Sequence, residues 1–238
     1  ILDSSNFAAL VPEITVVTGG IALVCSQMVI SFSADGEKVI VAWYDSAPPG
    51  GLYYELFYAN NGSSAAGPFL ANQTGFGANP RPQISVLDSG FAIAWNSNND
   101  GDDKGIYART FDLDGAPLSA GFVVNSDKFA GAQRSAVVAG ISASGTYVFA
   151  WLDENDNSVQ SRVFTANGVA EHSTFIVANV STNMEQIAIS GSNEFGAFSI
   201  LFNEGVTRTE YIKQYDCCSA RDFCGFVHGT CSHNLECT

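Results

Sequence analysis

The sequence predicts an all-β protein of four antiparallel, four-stranded repeats of about 50 residues, arranged as a four-bladed β-propeller and followed by a short disulfide-rich tail. Three observations carry this expectation. Strand-like runs end in one apolar-Ala-Trp signature at Val41-Ala42-Trp43, Ile93-Ala94-Trp95 and Phe149-Ala150-Trp151, 52 and 56 residues apart. Each is followed by a hairpin signal, at Asn61-Gly62, Asp114-Gly115 and Asn167-Gly168, where the glycine supplies the positive φ of a tight turn. Seven residues beyond each glycine, Phe69, Phe122 or Phe175 opens another apolar run.

In chain order, residues 1–18 read as an N-terminal strand that either closes the ring against the last unit or is donated to a neighbouring copy. Residues 19–215 hold the repeats. Unit two is the clearest: one strand around residues 84–87, one ending at Trp95, one running to the Asp114-Gly115 turn, and one after Phe122. A degenerate fourth copy fits at Phe198-Ser199-Ile200, where the Trp is replaced. One unit cannot bury both faces of its sheet, so it reads as a propeller blade, or one layer of a β-stack, held by neighbours packing on its Trp and Phe positions. Residues 216–238 form a cysteine-rich tail.

Composition narrows the partners. Ten Lys and Arg stand against 24 Asp and Glu, a formal net charge of −14, which repels phosphate backbones and anionic membrane surfaces. Nucleic acid is excluded as an expected partner, whereas cations and neutral glycans remain. The most apolar stretch, residues 14–32, is interrupted by Gly19, Gly20, Ser26 and Gln27, so no membrane span is expected. The opening at Ile1, without Met, fits a targeting segment lying outside this sequence.

Two resemblances add to this. The segment GFAIAWNSNNDGDDKGIYARTFDLDGAPLSAGFVVN, within residues 82–125, resembles the repeats of large secreted bacterial surface proteins. That resemblance implies a propeller-like fold in an adhesive or surface setting. In the tail, Cys217-Cys218-Ser219, Phe223-Cys224-Gly225, Cys231-Ser232 and Cys237 resemble the second half of a hevein-like chitin-binding module. The resemblance implies a Cys217–Cys231 disulfide and a sugar contact through Ser219 and Phe223. It leaves Cys218, Cys224 and Cys237 without their usual partners, and Cys25 is a candidate partner for Cys218 or Cys224. Such clustered cysteines point to an oxidising, extracellular or cell-surface compartment, and their offsets from His228 and His233 do not suit zinc.

Three further features suggest sites. The loop bearing Asn98, Asp100, Asp102 and Asp103 offers alternating oxygen ligands around a glycine, as calcium requires; no cofactor is expected, and calcium is the one the sequence allows. The loop at residues 153–157 repeats that chemistry loosely. Sequons at Asn61, Asn72 and Asn179 mark candidate glycosylation sites. No Gly-x-Ser-x-Gly elbow occurs, and His172, His228 and His233 have no nucleophile placed to use them. The sequence alone therefore predicts no enzyme. It favours an extracellular structural or adhesive glycoprotein, a self-assembling subunit of a surface filament or a partner of other surface proteins. The alternative is a lectin-like module using Tyr53, Tyr54, Tyr107 and Phe223, and a glycoside hydrolase ranks last.

Overall fold

The computed structural model describes residues 13–16, 25–46, 50–73, 80–98, 104–128, 130–180, 186–192, 196–204, 209–218 and 222–224. These form four antiparallel four-stranded sheets. Blade 1 comprises β1 (Cys25–Phe32), β2 (Lys38–Asp45), β3 (Gly51–Tyr58) and β4 (Ser64–Leu70). Blade 2 comprises β5 (Gln83–Leu87), β6 (Gly90–Ser97), β7 (Gly105–Phe111) and β8 (Phe122–Val123). Blade 3 comprises β9 (Gln133–Ile141), β10 (Thr146–Asp153), β11 (Ser158–Thr165) and β12 (Phe175–Asn179). Blade 4 comprises β13 (Ile187–Gly191), β14 (Ala197–Glu204), β15 (Thr209–Cys218) and β16 (Asp222–Cys224).

Every blade is a meander of strands in sequence order, and the first strands of successive blades neighbour one another, β1 on β5, β5 on β9 and β9 on β13. First strands therefore surround the axis, as in a propeller. The hairpin glycines have the positive φ the turns require, +71° at Gly62, +85° at Gly115 and +75° at Gly168.

Period-2 alternation gives the blades apolar faces, and three of the four core clusters are the seams where such faces meet. Ile40, Ala42, Leu52, Tyr54 and Leu56 of blade 1 pack on Phe91, Ile93 and Trp95 of blade 2. Ala92, Ala94, Ile106 and Ala108 of blade 2 pack on Tyr147, Phe149 and Trp151 of blade 3. Val148, Ala150, Leu152 and Val159 of blade 3 pack on Phe198, Ile200 and Phe202 of blade 4. The signature Trp of blades 2 and 3 thus lies on the face turned toward the preceding blade, and in blade 4 the register puts Phe202 in its place, two residues beyond the Ile200 that the sequence spacing suggested.

A polar clamp repeats at each seam. Arg109 Nη1 donates to the Ala71 carbonyl of blade 1 at 3.2 Å, and Arg162 Nη1 to the Val124 carbonyl of blade 2 at 3.0 Å. Lys213 Nζ does the same to the Val177 carbonyl of blade 3. Beside the first two clamps an asparagine caps the neighbouring strand: Leu52 N–H donates to Asn72 Oδ1 and Ile106 N–H to Asn125 Oδ1, both at 2.8 Å. Blade 1 has Glu55 at the clamp position, buried and accepting a hydrogen bond from Ser64 Oγ at 2.7 Å.

Most of the expected N-terminal strand, residues 1–12, 17 and 18, lies outside the described residues; within 13–16, Val16 packs against Val41, Trp43 and Phe57 on the outer face of blade 1. The start of the cysteine tail is not separate from the repeats: Cys217 lies opposite Phe223 and Cys218 opposite Asp222 as the outermost hairpin of blade 4.

Candidate functional site

The axial strands begin in an unusual way. Gln27, Arg81 and Ser135 occupy equivalent positions in blades 1, 2 and 3, and all three have left-handed backbones, with φ of +60°, +46° and +57°. For a residue with a Cβ this costs about 1–2 kcal/mol, and strain of that kind persists where the surroundings enforce it. Here the enforcement is local pairing. β1 and β9 carry a bulge at this point, Arg81 N–H donates to Gln27 Oε1 at 2.6 Å, and Asn96 N–H donates to the Pro80 carbonyl at 2.6 Å. Blade 4 has regular pairing at the same place, where Ala188 faces Leu201.

This end of the axis holds a cleft of about 290 Å³. Blade 2 contributes Arg81 and Gln83, blade 3 contributes Ser135, Ala136 and Val137, and blade 4 contributes Gln186, Asn203 and Glu210 among others. Glu210 is the one carboxylate and Arg81 the one guanidinium of this lining. Among the described residues, neither the buried Ser135 hydroxyl nor the indole N–H of Trp151 on the neighbouring strand has a hydrogen-bond partner. Half of the lining is polar (three amides, one hydroxyl, one acid and one guanidinium) and half is apolar, including Ile187, Leu201 and Phe202, a mixture that suits the hydroxyl edges and C–H faces of a sugar.

The sites expected from sequence lie elsewhere. Of the calcium loop, Asn98 is described and exposed, while Asp100, Asp102 and Asp103 lie outside the described residues. No group of acidic, His or Cys side chains able to hold a metal occurs among the described residues. The loop at 153–157 uses its acid structurally: Asp153 is 2% exposed, accepts from the Asn155 and Asp156 N–H groups through Oδ1, and from the Gln133 and Gln160 amides through Oδ2.

Asn61 is exposed in its hairpin, with Oδ1 accepting from Ser63, and Asn179 is exposed at the end of β12. Asn72 is different: at 6% exposure, with Oδ1 engaged by Leu52, it has no room for a glycan. Tyr54 is buried and donates to the Gly115 carbonyl at 2.8 Å, so it is a core residue. Tyr53 stacks on Trp43 and Tyr107 on Trp95 within their own blades. Cys25, Cys217, Cys218, Phe223 and Cys224 are placed on strands, while Ser219, Cys231 and Cys237 lie outside the described residues.

Architecture defines the class: this is an all-β protein of propeller type. No family model matches the chain, and no curated sequence is similar to it. Solved structures are. AofleA from Arthrobotrys oligospora aligns at 11% identity and a TM-score of 0.52, over 84% of this chain and 56% of that one. The endo-arabinase of Bacteroides thetaiotaomicron aligns at 10% identity and a TM-score of 0.50, over 79% and 74%. An α-L-arabinofuranosidase of Podospora anserina aligns at 13% identity and 0.47, over 84% and 66%. The chain thus spans 66% of the length of the arabinofuranosidase and 56% of AofleA.

These likenesses establish the fold, and they correct the functional expectation. The sequence favoured a non-enzymatic structural or adhesive module, with a lectin second. One fold neighbour with a stated activity is an endo-arabinase, so an assignment that excluded enzymes does not stand. Side chains that meet at a propeller axis come from different blades and form no local motif, so the absence of a motif in the sequence does not exclude an enzyme.

Proposed function

We propose that this chain is the propeller of a glycan-processing enzyme of the glycoside hydrolase kind, acting on neutral polysaccharide at the axial cleft. The observation that carries the reading is the convergence of Arg81, Gln83, Ser135, Gln186, Asn203 and Glu210 from three blades into one cleft. The similarity to the endo-arabinase supports it at the level of fold. The net charge of −14 favours uncharged substrates over polyanionic ones.

Within that reading Glu210 is the acid–base group. Hydrolysis of this type pairs two carboxyl groups about 5–9.5 Å apart; Glu210 is the one acid among the described lining residues, and its partner carboxylate is not among them. Arg81, Gln83 and Asn203 hold sugar hydroxyls and fix the ring against the strained strand starts.

The test is release of reducing ends from arabinan, xylan and mixed-linkage glucan by the wild-type chain and by Glu210→Gln. Cleavage by the wild type that falls about 10²–10⁴-fold in the variant is expected, the usual contribution of one acid–base group. No cleavage of any of them by the folded wild type, or an unchanged rate in Glu210→Gln, overturns the assignment.

A further inference from the structure

The sequons at Asn61 and Asn72 lie in the same blade and are placed oppositely. Asn61 stands at the tip of the β3–β4 hairpin, in Asn61-Gly62-Ser63, and both Asn61 and Ser63 are exposed. Asn72 follows β4 and is 6% exposed, with its Oδ1 held by the Leu52 N–H at 2.8 Å. A glycan on Asn72 has to displace the strand end that this bond fixes. Of the two, only Asn61 is compatible with the folded blade.

The Asn61 side chain is also oriented. Its Oδ1 accepts from the Ser63 N–H at 2.9 Å and from the Ser63 hydroxyl at 2.8 Å. Both bonds draw electron density toward the carboxamide oxygen, and among the described residues nothing accepts from Nδ2. The turn is held by its own backbone: Gly62 N–H donates to the Tyr58 carbonyl at 2.8 Å, and Tyr58 N–H donates to the Ser63 carbonyl at 2.9 Å. Gly62 supplies the φ of +71° between them. All these contacts lie between Tyr58 and Ser63, so the geometry belongs to the hairpin and does not wait for blades to pack.

We propose that Asn61 is the acceptor of an N-linked oligosaccharide in a cell whose secretory pathway carries the transferase. Five cysteines in the last 22 residues suit that oxidising route. The donor class is an oligosaccharide carried on a lipid pyrophosphate. Nδ2 forms a bond to the anomeric carbon and the bond from that carbon to the pyrophosphate oxygen breaks. The lipid pyrophosphate leaves with that electron pair, and the Nδ2 proton passes to a base of the transferase. Ser63 provides the hydroxyl a sequon requires, and Gly62 meets its exclusion of proline. The glycan stands clear of the axial cleft. Ala59 N–H donates to the Glu37 carbonyl and so ties the β3–β4 hairpin to the β1–β2 turn, whereas Gln27 at the other end of β1 meets Arg81 of the cleft. Those ends of β1 are about 20 Å apart at ~3.3 Å per residue. The site is therefore independent of what the cleft binds.

The experiment is secretion of the full chain from yeast behind a cleavable signal, then glycan release by a peptide N-glycosidase in heavy-oxygen water. This leaves a labelled Asp at each position that carried a glycan. Peptide mapping is expected to find the label at Asn61 in most molecules and none at Asn72. Asn61→Asp keeps the turn-forming oxygen and removes the acceptor nitrogen; it should lose one glycan by gel mobility and melt with the deglycosylated wild type. Ser63→Ala should lose the same glycan, and Ser63→Thr should keep it. A folded, secreted wild type bare at Asn61 overturns the proposal. So does label at Asn72 equal to that at Asn61, or a Ser63→Ala chain glycosylated at Asn61 like its parent.

Discussion

Asp127 ties blade 2 to blade 3 through a single carboxylate. Burial pushes its pKa up, but the Thr174 hydroxyl and N–H, at 2.6 and 2.7 Å, and Arg162 at 3.2 Å outweigh that and hold it below the ordinary 3.8. A lowered folded-state pKa stabilises the fold above the unfolded value, and the contribution drains away as pH falls through the lower one. In urea unfolding, the wild type should exceed Asp127→Asn in stability at neutral pH, with the gap closing below about pH 4. Tyr54 has the opposite sign. Burial, the largest influence, pushes its phenol up to about 12, so its contribution is complete below 10.0 and is lost as pH rises toward 12. Tyr54→Phe removes the bond to the Gly115 carbonyl, should cost about 1 kcal/mol at neutral pH, and should flatten the alkaline limb of the stability curve.

Among elements, the seam is the unit of stability. Each joins an aliphatic face to an aromatic one and is fixed by a cation reaching back to the preceding blade. Arg162→Met should cost about 2–3 kcal/mol in denaturant unfolding, because it removes a charge-assisted bond to a buried carbonyl. Trp151→Ala should cost about 3–5 kcal/mol through the cavity left in the seam between blades 2 and 3. The axial strands approach closely enough to require glycine: a Cβ at Gly140 would lie 2.3 Å from the Val86 carbonyl oxygen. Much of this level was legible in the sequence. The Trp signature and the Asn-Gly and Asp-Gly turns set the blades, because strand alternation and turn geometry are local properties. The clamp is seen only in the structure: once the blades are aligned, Arg109-Thr110-Phe111, Arg162-Val163-Phe164 and Lys213-Gln214-Tyr215 fall in one register, with Glu55-Leu56-Phe57 as the exception.

At the scale of the whole molecule, the described residues form four blades around an axis, with a cleft at its mouth. The cleft could not be read from any one segment. Arg81, Ser135 and Glu210 lie in three different repeats and meet only because β5, β9 and β13 are axial neighbours. Gln27 and Ser135 stand 16 residues before their Trp but Arg81 only 14 before Trp95, and nothing in the three side chains announces a common role. The Asp-rich loop 98–103 attracted the metal expectation through its composition, yet the matching acid in blade 3, Asp153, is satisfied by amides. Composition identified acids, and only topology distinguished a structural acid from one lining the axis.

The most direct test of the account is cleavage of neutral polysaccharides by the wild type against Glu210→Gln at matched melting temperature. The account predicts depolymerisation by the wild type and a loss of about 10²–10⁴-fold in the variant. A folded wild type that leaves arabinan, xylan and glucan intact, or a variant as active as the parent, would contradict it.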